Sequence, residues 1–405
     1  MQKMIEIQEA VNLINEFKPE LRSEVIPIGQ ANGRILATTI LAPFGMPGFD
    51  NSAMDGFAVS WDLLDKTLIP GIELEITGES QAGNPFIGEK VLGSAIRIST
   101  GAKLPDFCDT VIPIEECDET TGKIKIHSMS KRGKHVRKYG EEFEPGEPLL
   151  EVGQKLNGAQ LGLLASVGID ELKVFHKPRV SILVTGNELN SPSNVEGDGA
   201  IFDSNTPMLM AAIQNAGAKL VHSIQVEDSL SETERAISNA ASNSDLILST
   251  GGVSVGIHDH IREASQNVGF KEIFWKINQK PGKPLYFATH GDVAFLGLPG
   301  NPVSAYICYH YYGHKLLQRI EGSASDEHEC YGKVGEKIVN HSDRSQFYRI
   351  RLEANQSGDT IISGISKQGS HMLTSVGWAD GYIILKGNQI AQPGEFIKVH
   401  TMEGD

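Results

Sequence analysis

An alternation of short apolar runs and amphipathic segments between residues 178 and 320 constrains the fold more than any other feature of this chain. The pattern predicts strands at 180–184, 220–226, 246–248, 273–277, 285–287 and 293–296, and helices at 207–216, 230–242, 259–267 and 302–320. Alternation of this kind is typical of a doubly wound, mostly parallel sheet with helices on both faces. We therefore predict an α/β domain in this part of the chain.

The flanking segments follow different patterns. A helix is predicted over 5–17, because apolar residues form one stripe and Pro19 ends it. Between about 70 and 145, short β runs separated by Gly and Pro predict a small β-rich or barrel-like domain, and the runs after Gly322 predict a small all-β C-terminal domain. With 405 residues, two to four domains are expected, so the fold class is α/β multidomain.

Composition excludes several functional classes. The net charge of −15 argues against a general nucleic-acid binder, although a small anion needs only a local basic pocket. The sequence has no uninterrupted apolar run long enough to cross a bilayer and no signal peptide, so we expect no membrane association. Four cysteines without C-x-x-C spacing suit a reducing compartment, and we expect a cytoplasmic protein.

A glycine-rich loop, Ser249-Thr250-Gly251-Gly252, directly follows the strand predicted at 246–248. The spacing of Gly251 and Gly256 matches half of a phosphate-binding P-loop, but Ile257 occupies the position of the lysine, which argues against an ordinary NTPase. Two interpretations remain open. The glycines could form a purely structural turn, or their backbone N–H groups could face an anion.

Polar residues also follow three other strands of the predicted sheet. They are Thr185-Gly186-Asn187-Glu188, Glu227-Asp228 and Gly297-Leu298-Pro299-Gly300-Asn301-Pro302. Asn301 before Pro302 predicts a helix N-cap with proline at the first helical position. Any one of these segments could be a turn or a cap. Their coincidence at one edge of one sheet instead predicts a ligand site, because open α/β sheets bind ligands there.

The residue types indicate the chemistry. Glu188, Asp228 and Asp259 are hard oxygen ligands that suit Mg²⁺, while Lys280 and Lys283 on a proline-containing turn suit phosphate or another oxyanion. The histidines beside Asp259 have no obvious Ser or Cys partner, which argues against a hydrolytic triad. We predict metal-assisted handling of a phosphorylated or adenylylated small molecule.

Two further segments carry chemistry-bearing side chains. The run at 49–57 contains Asp50, Asn51 and Asp55, which could simply form turns. The basic cluster at 131–138 could be a solvated loop or an anion contact. The sequence leaves both alternatives open.

Six motifs, in order along the chain, support a resemblance. They are Pro47-Gly48-Phe49-Asp50-Asn51-Ser52-Ala53-Met54-Asp55-Gly56, Ile98-Ser99-Thr100-Gly101-Ala102, Ser249-Thr250-Gly251-Gly252-Val253-Ser254-Val255-Gly256, Lys280-Pro281-Gly282-Lys283-Pro284, Gly297-Leu298-Pro299-Gly300-Asn301-Pro302 and Gln368-Gly369-Ser370-His371. Over essentially its whole length the chain resembles the MoeA/gephyrin-type molybdopterin molybdenumtransferases of molybdenum cofactor biosynthesis.

The resemblance implies a reaction in which adenylylated molybdopterin and molybdate give molybdenum cofactor and AMP, assisted by Mg²⁺. It implies a homodimer that works beside a molybdopterin adenylyltransferase. It also implies four domains, which we place at 1–44 with 146–177 (elongated N-terminal), 45–145 (β-rich, inserted), 178–326 (α/β, molybdopterin-binding) and 327–405 (C-terminal β).

The resemblance also implies roles for individual residues. Glu188, Asp228 and Asp259 would serve metal and phosphate chemistry, and Asp55 and Thr100 would contribute from the β-rich domain. The pterin-phosphate pocket would be lined by Ser249, Thr250, Gly251, Gly252, Pro299, Gly300, Asn301 and Pro302. The oxyanion pocket would be formed by Lys280, Lys283, Arg349 and Ser370.

Two departures from the family pattern matter. Asn187 stands where the family usually has Asp, which puts a metal role for that position in doubt, whereas Glu142 in place of Asp keeps a carboxylate. Two alternative functions remain: a non-catalytic pterin-binding or scaffold protein of the same fold, and an enzyme that inserts tungstate.

Overall fold

The computed structural model describes residues 4–61, 71–128, 131–186, 189–190 (backbone only), 201–253, 260–324 and 330–402. The chain divides into two compact units. The first comprises Met1–Thr38, Val152–Leu161 and Asp170–Asp405, and the second comprises Thr39–Glu151 and Gly162–Ile169. The finer division into four domains stays a prediction.

The helices of the described residues are α1 (Ile7–Asn15), α2 (Gly158–Ser166), α3 (Asn205–Asn215), α4 (Leu230–Asn243), α5 (Ile261–Asn267), α6 (Pro302–Cys308), α7 (His314–Glu321) and α8 (Thr374–Gly377). Short 3₁₀ turns occur at Ile28–Gln30 and Ile114–Glu116, and a π-helical turn at Tyr309–Gly313. Within the described part of the chain, no helix has the length and apolar character needed to span a bilayer.

The strands are β1 (Ser23–Pro27), β2 (Ile40–Leu41), β3 (Asn51–Ser52), β4 (Gly56–Val59), β5 (Glu73–Ser80), β6 (Ser94–Ile98), β7 (Thr110–Pro113), β8 (Cys117–Thr120), β9 (Lys123–Ile126), β10 (Val136–Arg137), β11 (Pro148–Leu150), β12 (Glu171–Phe175), β13 (Arg179–Thr185), β14 (Leu189–Asn190), β15 (Ile201–Phe202), β16 (Lys219–Val226), β17 (Leu246–Thr250), β18 (Lys271–Trp275), β19 (Gln279–Lys280), β20 (Tyr286–His290), β21 (Val293–Leu298), β22 (Cys330–Val334), β23 (Ile338–Val339), β24 (Ser345–Ala354), β25 (Thr360–Gly364), β26 (Gly381–Leu385), β27 (Ile390–Ala391) and β28 (Phe396–Thr401).

The central sheet of the first unit has the strand order β16-β13-β17-β21-β20-β18. Its first four strands are parallel, and β20 and β18 are antiparallel to their neighbours. The middle strand β17 is buried at every position, as expected where helices cover both faces of a parallel sheet. The predicted doubly wound, mostly parallel sheet is therefore confirmed.

Alternate residues of β17 pack into different cores, which shows that helices cover both faces. Leu246 and Leu248 belong to a cluster that includes buried residues of α1, α3, α6 and α7. Ile247 belongs to a second cluster, with buried residues of α4 and α5. The two-residue period of the strand thus divides the apolar residues between the two layers of helices.

The last helix predicted in this domain, 302–320, is interrupted. It consists of α6, the π-helical turn Tyr309–Gly313 and α7, and ends at Glu321 before Gly322, which has a φ of 69°. Tyr309 and Tyr312 of the π turn are fully buried. Single π-helical turns of this kind are rare and occur frequently at functional sites.

The C-terminal region forms a closed five-stranded barrel. The order β24-β25-β22-β28-β26 is closed by pairing of β26 with β24. β19 of the α/β region pairs in parallel with the start of β24, and Phe347 and Tyr382 share the core cluster of α1, α3, α6 and α7. The predicted all-β fold is confirmed, and its outer face packs on the α/β region.

The second unit is β-rich, as predicted. Its main sheet has the order β7-β4-β6-β5-β9-β8, and only the β5–β6 pair among these is parallel. Two small antiparallel pairs, β10 with β3 and β11 with β2, accompany it. The β10–β3 pair brings the basic cluster beside Asn51 and Ser52.

Candidate functional site

The four parallel strands of the central sheet end at one edge, as predicted from their strand-end loops. Thr185 pairs with Val226, Val184 with Thr250, and Thr250 with Leu298. Asp228 therefore follows β16 at the same edge where the glycine-rich loop follows β17. Antiparallel β20 begins opposite the end of β21, so the turn that contains the two lysines also reaches this edge.

The glycine-rich loop approaches the end of β13 closely. Gly251 and Gly252 have φ values of 84° and 67°, which favour glycine. A Cβ on Gly251 would lie 2.8 Å from Thr185 Oγ1 and 2.9 Å from the Thr185 carbonyl oxygen. Gly251 N–H also donates to the Leu298 carbonyl across 3.3 Å. Tight packing thus accounts for both glycines.

Some predicted site residues lie outside the described residues. These are Glu188 and Asp259, the candidate metal ligands, together with Asn187. Asp228 is half-buried after β16. Among the described residues there is no group of three His, Cys, Asp or Glu side chains arranged to hold a metal ion. Whether the three carboxylates form a magnesium site stays a prediction.

Asn205 is a candidate site residue that the sequence interpretation missed. Its Nδ2 donates to Thr250 Oγ1 across 2.7 Å and to the Gly300 carbonyl across 2.9 Å, so one buried amide joins the loops after β17 and β21. The Asn205 Oδ1 atom and the Ser249 Oγ atom are buried without a hydrogen-bond partner among the described residues. Buried polar groups of this kind are costly unless a ligand or water satisfies them.

The start of α3 explains how Asn205 is held. Asp203 Oδ1 accepts hydrogen bonds from the backbone N–H groups of Asn205 and Thr206, at 2.9 and 3.0 Å. These N–H groups have no intrahelical partner, and a carboxylate satisfies them. The run Asp203-Ser204-Asn205-Thr206 before a helix was the sequence signal that could have located this position.

The loop after β21 contacts both the glycine-rich loop and the C-terminal region. A Cβ on Gly300 would lie 3.6 Å from the Gly251 Cα atom. Asn301 occupies the predicted N-cap position of α6 with Pro302 after it, but its side chain makes no capping hydrogen bond. The Asn301 Nδ2 instead donates to Ser370 Oγ across 3.4 Å, so the amide faces the loop that carries Ser370.

The lysine turn has a buried backbone and exposed ammonium groups. Gln279, which is fully buried, donates its Nε2 to the Gly282 carbonyl across 3.0 Å and accepts a 2.6 Å hydrogen bond from the Tyr312 hydroxyl. A Cβ on Gly282 would lie 2.3 Å from Cys308 Sγ. Lys280 and Lys283 are both exposed on this fixed turn.

Arg349 is fully buried, which the sequence interpretation did not anticipate. Its guanidinium donates to the Phe347 carbonyl at 3.1 Å and to the Gly369 carbonyl at 3.5 Å, and burial lowers its pKa to about 10. Its backbone N–H donates to Gln368 Oε1 across 3.1 Å. Arg349 therefore holds the loop that carries Ser370, while a direct contact with an oxyanion stays a prediction.

In the second unit the structure brings Asp55 and Thr100 together. Asp55 Oδ1 accepts a 2.7 Å hydrogen bond from the Thr100 backbone N–H. Asp50 accepts from Lys138 Nζ at 2.6 Å and from the Tyr139 N–H at 2.9 Å. The 49–57 segment therefore makes two separate polar contacts, one through Asp50 with the end of the basic cluster and one through Asp55 with Thr100.

Three family models match the chain in order. They are described as the MoeA N-terminal region (domain I and II) over residues 5–168, a "Probable molybdopterin binding domain" over 181–319 and the MoeA C-terminal region (domain IV) over 331–402. A molybdopterin molybdenumtransferase of Haemophilus influenzae is 32% identical over 387 residues, which are 95% of each chain. The chain belongs to the MoeA family of molybdopterin molybdenumtransferases.

Other members of the MoeA family agree in length and fold. Molybdopterin molybdenumtransferase 2 of Mycobacterium tuberculosis is 30% identical over 94% of this chain and 95% of its own. The crystal structure of a molybdopterin biosynthesis MoeA protein from Pyrococcus horikoshii superposes with a TM-score of 0.84 at 29% identity, covering 99% of this chain and 100% of that one. The resemblance inferred from the six motifs is confirmed.

Proposed function

We propose that this MoeA-family chain inserts molybdate into adenylylated molybdopterin and releases AMP, assisted by Mg²⁺. The observation that carries the proposal is the bridge that Asn205 makes between Thr250 and Gly300. This amide joins the ends of two adjacent parallel strands into one wall, at the edge where open α/β sheets bind ligands.

The wall has the groups that a pterin phosphate would need. Asn205 Oδ1 and Ser249 Oγ, which have no partner within the part of the chain that the structure describes, could bind polar atoms of the pterin. The helix α3 also begins at this edge, where the Asp203 carboxylate already satisfies its first N–H groups and so fixes Asn205 in the wall. Gly251, Gly252 and Gly300 let the two loops of this wall pack closely against each other and against Thr185.

The two exposed lysines suit the oxyanion. Molybdate is a dianion, and the −15 background charge of the protein makes a local basic group necessary. The buried Gln279–Tyr312 contact fixes the turn, so Lys280 and Lys283 lose less conformational freedom when they bind the anion. Arg349 and Gln368 support the neighbouring Ser370 loop.

The metal assignment rests on residue chemistry alone. Glu188, Asp228 and Asp259 are the side chains that would hold Mg²⁺, which when bound would neutralise phosphate charge. Contributions of Asp55 and Thr100 to catalysis are likewise proposed. Homodimerisation, a cytoplasmic location and contact with a molybdopterin adenylyltransferase complete the proposal.

The test is a defined reaction with the purified full-length chain. Adenylylated molybdopterin, molybdate and Mg²⁺ should yield AMP together with a product that activates a molybdenum-free apoenzyme. Pterin binding without AMP formation would favour the non-catalytic scaffold. A parallel reaction with tungstate tests the tungstate-inserting alternative, since that enzyme would form AMP faster with tungstate than with molybdate.

A further inference from the structure

The indole of Trp275 holds the end of the glycine-rich loop. Trp275 is the last residue of β18, and its Nε1–H donates to the Val253 carbonyl across 2.8 Å. Val253 directly follows Gly252 and is 2% exposed, and a buried carbonyl is costly without a donor. Because β18 is an edge strand, the contact reaches past β20 and β21 to the loop after β17. One side chain thus fixes this loop from the far side of the sheet.

Two cations restrain the Trp275 ring. The Arg262 guanidinium carbon lies 4.3 Å from the centroid of the indole, and the Lys276 ammonium nitrogen lies 3.6 Å from it. Arg262 is itself held, because its Nε and Nη2 donate to the two carboxylate oxygens of Glu272. Indole attracts cations more strongly than the other aromatic rings do. The direction of the indole N–H is therefore determined by contacts of the ring as well as by its acceptor.

Lys276 bends the chain between β18 and the lysine turn. Its φ of 74° is uncommon for a residue with a side chain, and such a conformation persists only where surrounding contacts enforce it. The Lys276 N–H donates to the Leu285 carbonyl across 3.1 Å, and the next N–H, that of Ile277, donates to the Lys283 carbonyl across 3.0 Å. The backbone after Lys276 is thus bonded directly to the lysine turn, while its ammonium group lies over Trp275.

Two adjacent residues therefore contact the two parts of the site that bind different substrates. Trp275 contacts the glycine-rich loop through Val253, on the side assigned to the pterin phosphate. Lys276 leads into the turn that carries Lys280 and Lys283, on the side assigned to the oxyanion.

We propose that Trp275 and Lys276 are positioning residues that set the glycine-rich loop and the lysine turn relative to each other. This assignment rests on the proposed function and deepens it, because it explains how the pterin phosphate and the oxyanion are aligned. Both residues act through their neighbours: Trp275 through the Val253 carbonyl, and Lys276 through the backbone of the lysine turn. The ring contact between them couples the two effects.

Trp275→Phe tests the contact with the glycine-rich loop. Phe keeps an aromatic ring for the two cations but removes the N–H donor. We expect the KM for adenylylated molybdopterin to rise about tenfold and the KM for molybdate to change less than about twofold. A smaller folded fraction would lower the apparent kcat but neither KM, so this difference separates positioning from a purely structural role. Trp378→Phe, at an exposed position, is the matched control.

Lys276→Gln tests the connection to the lysine turn. The variant removes the cation from the Trp275 ring, and we expect the KM for molybdate to rise about fivefold. Lys276→Arg keeps a cation over the indole and should restore the KM of the unaltered protein. Lys271→Gln, at the exposed start of the same strand, is the control.

Hydrogen exchange measured by mass spectrometry without substrates tests the same contacts without turnover. Trp275→Phe should speed exchange about tenfold in the peptide that contains Gly251, whose N–H donates to the Leu298 carbonyl. Lys276→Gln should speed exchange in the peptide that contains Ile277. Unchanged KM values, or exchange at the rates of the unaltered protein, would overturn the proposal. If the unaltered chain forms no AMP, the proposed function fails, and the exchange rates alone decide this inference.

Discussion

The Tyr312 hydroxyl donates a 2.6 Å hydrogen bond to Gln279 Oε1, and both side chains are fully buried beneath the lysine turn. Tyr312 lies in the π-helical turn between α6 and α7, which sets its direction. The interruption of the helix and the position of Lys280 and Lys283 are therefore linked through one contact.

Tyr312→Phe should loosen the lysine turn while leaving the fold intact. Loss of one buried hydrogen bond that leaves Gln279 Oε1 without its donor costs about 1–3 kcal/mol of unfolding free energy. Because the turn then loses its fixed geometry, we expect the KM for molybdate to rise several-fold with a smaller change in kcat. Steady-state AMP formation measures both, and Tyr331→Phe, exposed on β22, is the control. An unchanged KM would show that the contact is structural only.

Asn205→Ala should separate the loops after β17 and β21. The substitution removes both hydrogen bonds of the amide, to Thr250 Oγ1 and to the Gly300 carbonyl, and we expect AMP formation to fall at least about tenfold. The control is Asn215→Ala at the exposed end of the same helix. AMP formation by the Asn205 variant at the rate of this control would refute the role of the bridge.

Gly251→Ala should destabilise the protein more than Gly217→Ala. Both glycines have a positive φ, 84° and 77°, so both substitutions carry a backbone cost of about 1 kcal/mol. Only at Gly251 would the new Cβ meet Thr185, whereas a Cβ on Gly217 would meet no atom of the described, non-adjacent residues within 4 Å. Comparison of the melting temperatures of the two variants therefore measures the cost of the contact with Thr185. Equal melting temperatures would show that the glycine-rich loop can move away from Thr185.

Glu321 gives a pH-dependent prediction. Burial raises its pKa from 4.5 to about 7, although Lys155 opposes the change. The folded form therefore binds the proton of this carboxyl group more tightly than the unfolded form does. As pH rises from about 4.5 to 7, the group lowers the free energy of unfolding by up to about 3 kcal/mol. The Glu321→Gln variant should have the same free energy of unfolding as the unaltered protein near pH 4.5. Its stability relative to the unaltered protein should increase up to pH 7, and the difference between the two should be constant above pH 7. A difference that does not vary with pH would contradict the assignment.

Short-range sequence patterns were sufficient for much of this structure. The strands that form the central sheet follow from buried apolar runs, and the shared edge follows from the parallel arrangement that the β/α alternation imposes. The pairing of Asp55 with Thr100 was not predicted, but both positions were singled out by their motifs.

Other features depend on contacts that sequence patterns do not encode. The π turn at Tyr309–Gly313 inserts into an otherwise continuous helical pattern without a change in composition. The family resemblance implies an oxyanion contact for Arg349, but the burial of this residue on the core-facing side of β24, which it shares with Phe347, depends on the tertiary fold. Asn205 was missed because its importance arises from two partners, 45 and 95 residues away in sequence.

The most direct test of the central claim is molybdate-dependent AMP formation from adenylylated molybdopterin by the purified, unaltered chain. We predict that AMP appears together with molybdenum cofactor, in equal amounts, and that omission of either molybdate or Mg²⁺ suppresses both. Binding of the pterin with no AMP and no cofactor formed under these conditions would contradict the assignment of this chain as an active molybdenum-inserting enzyme.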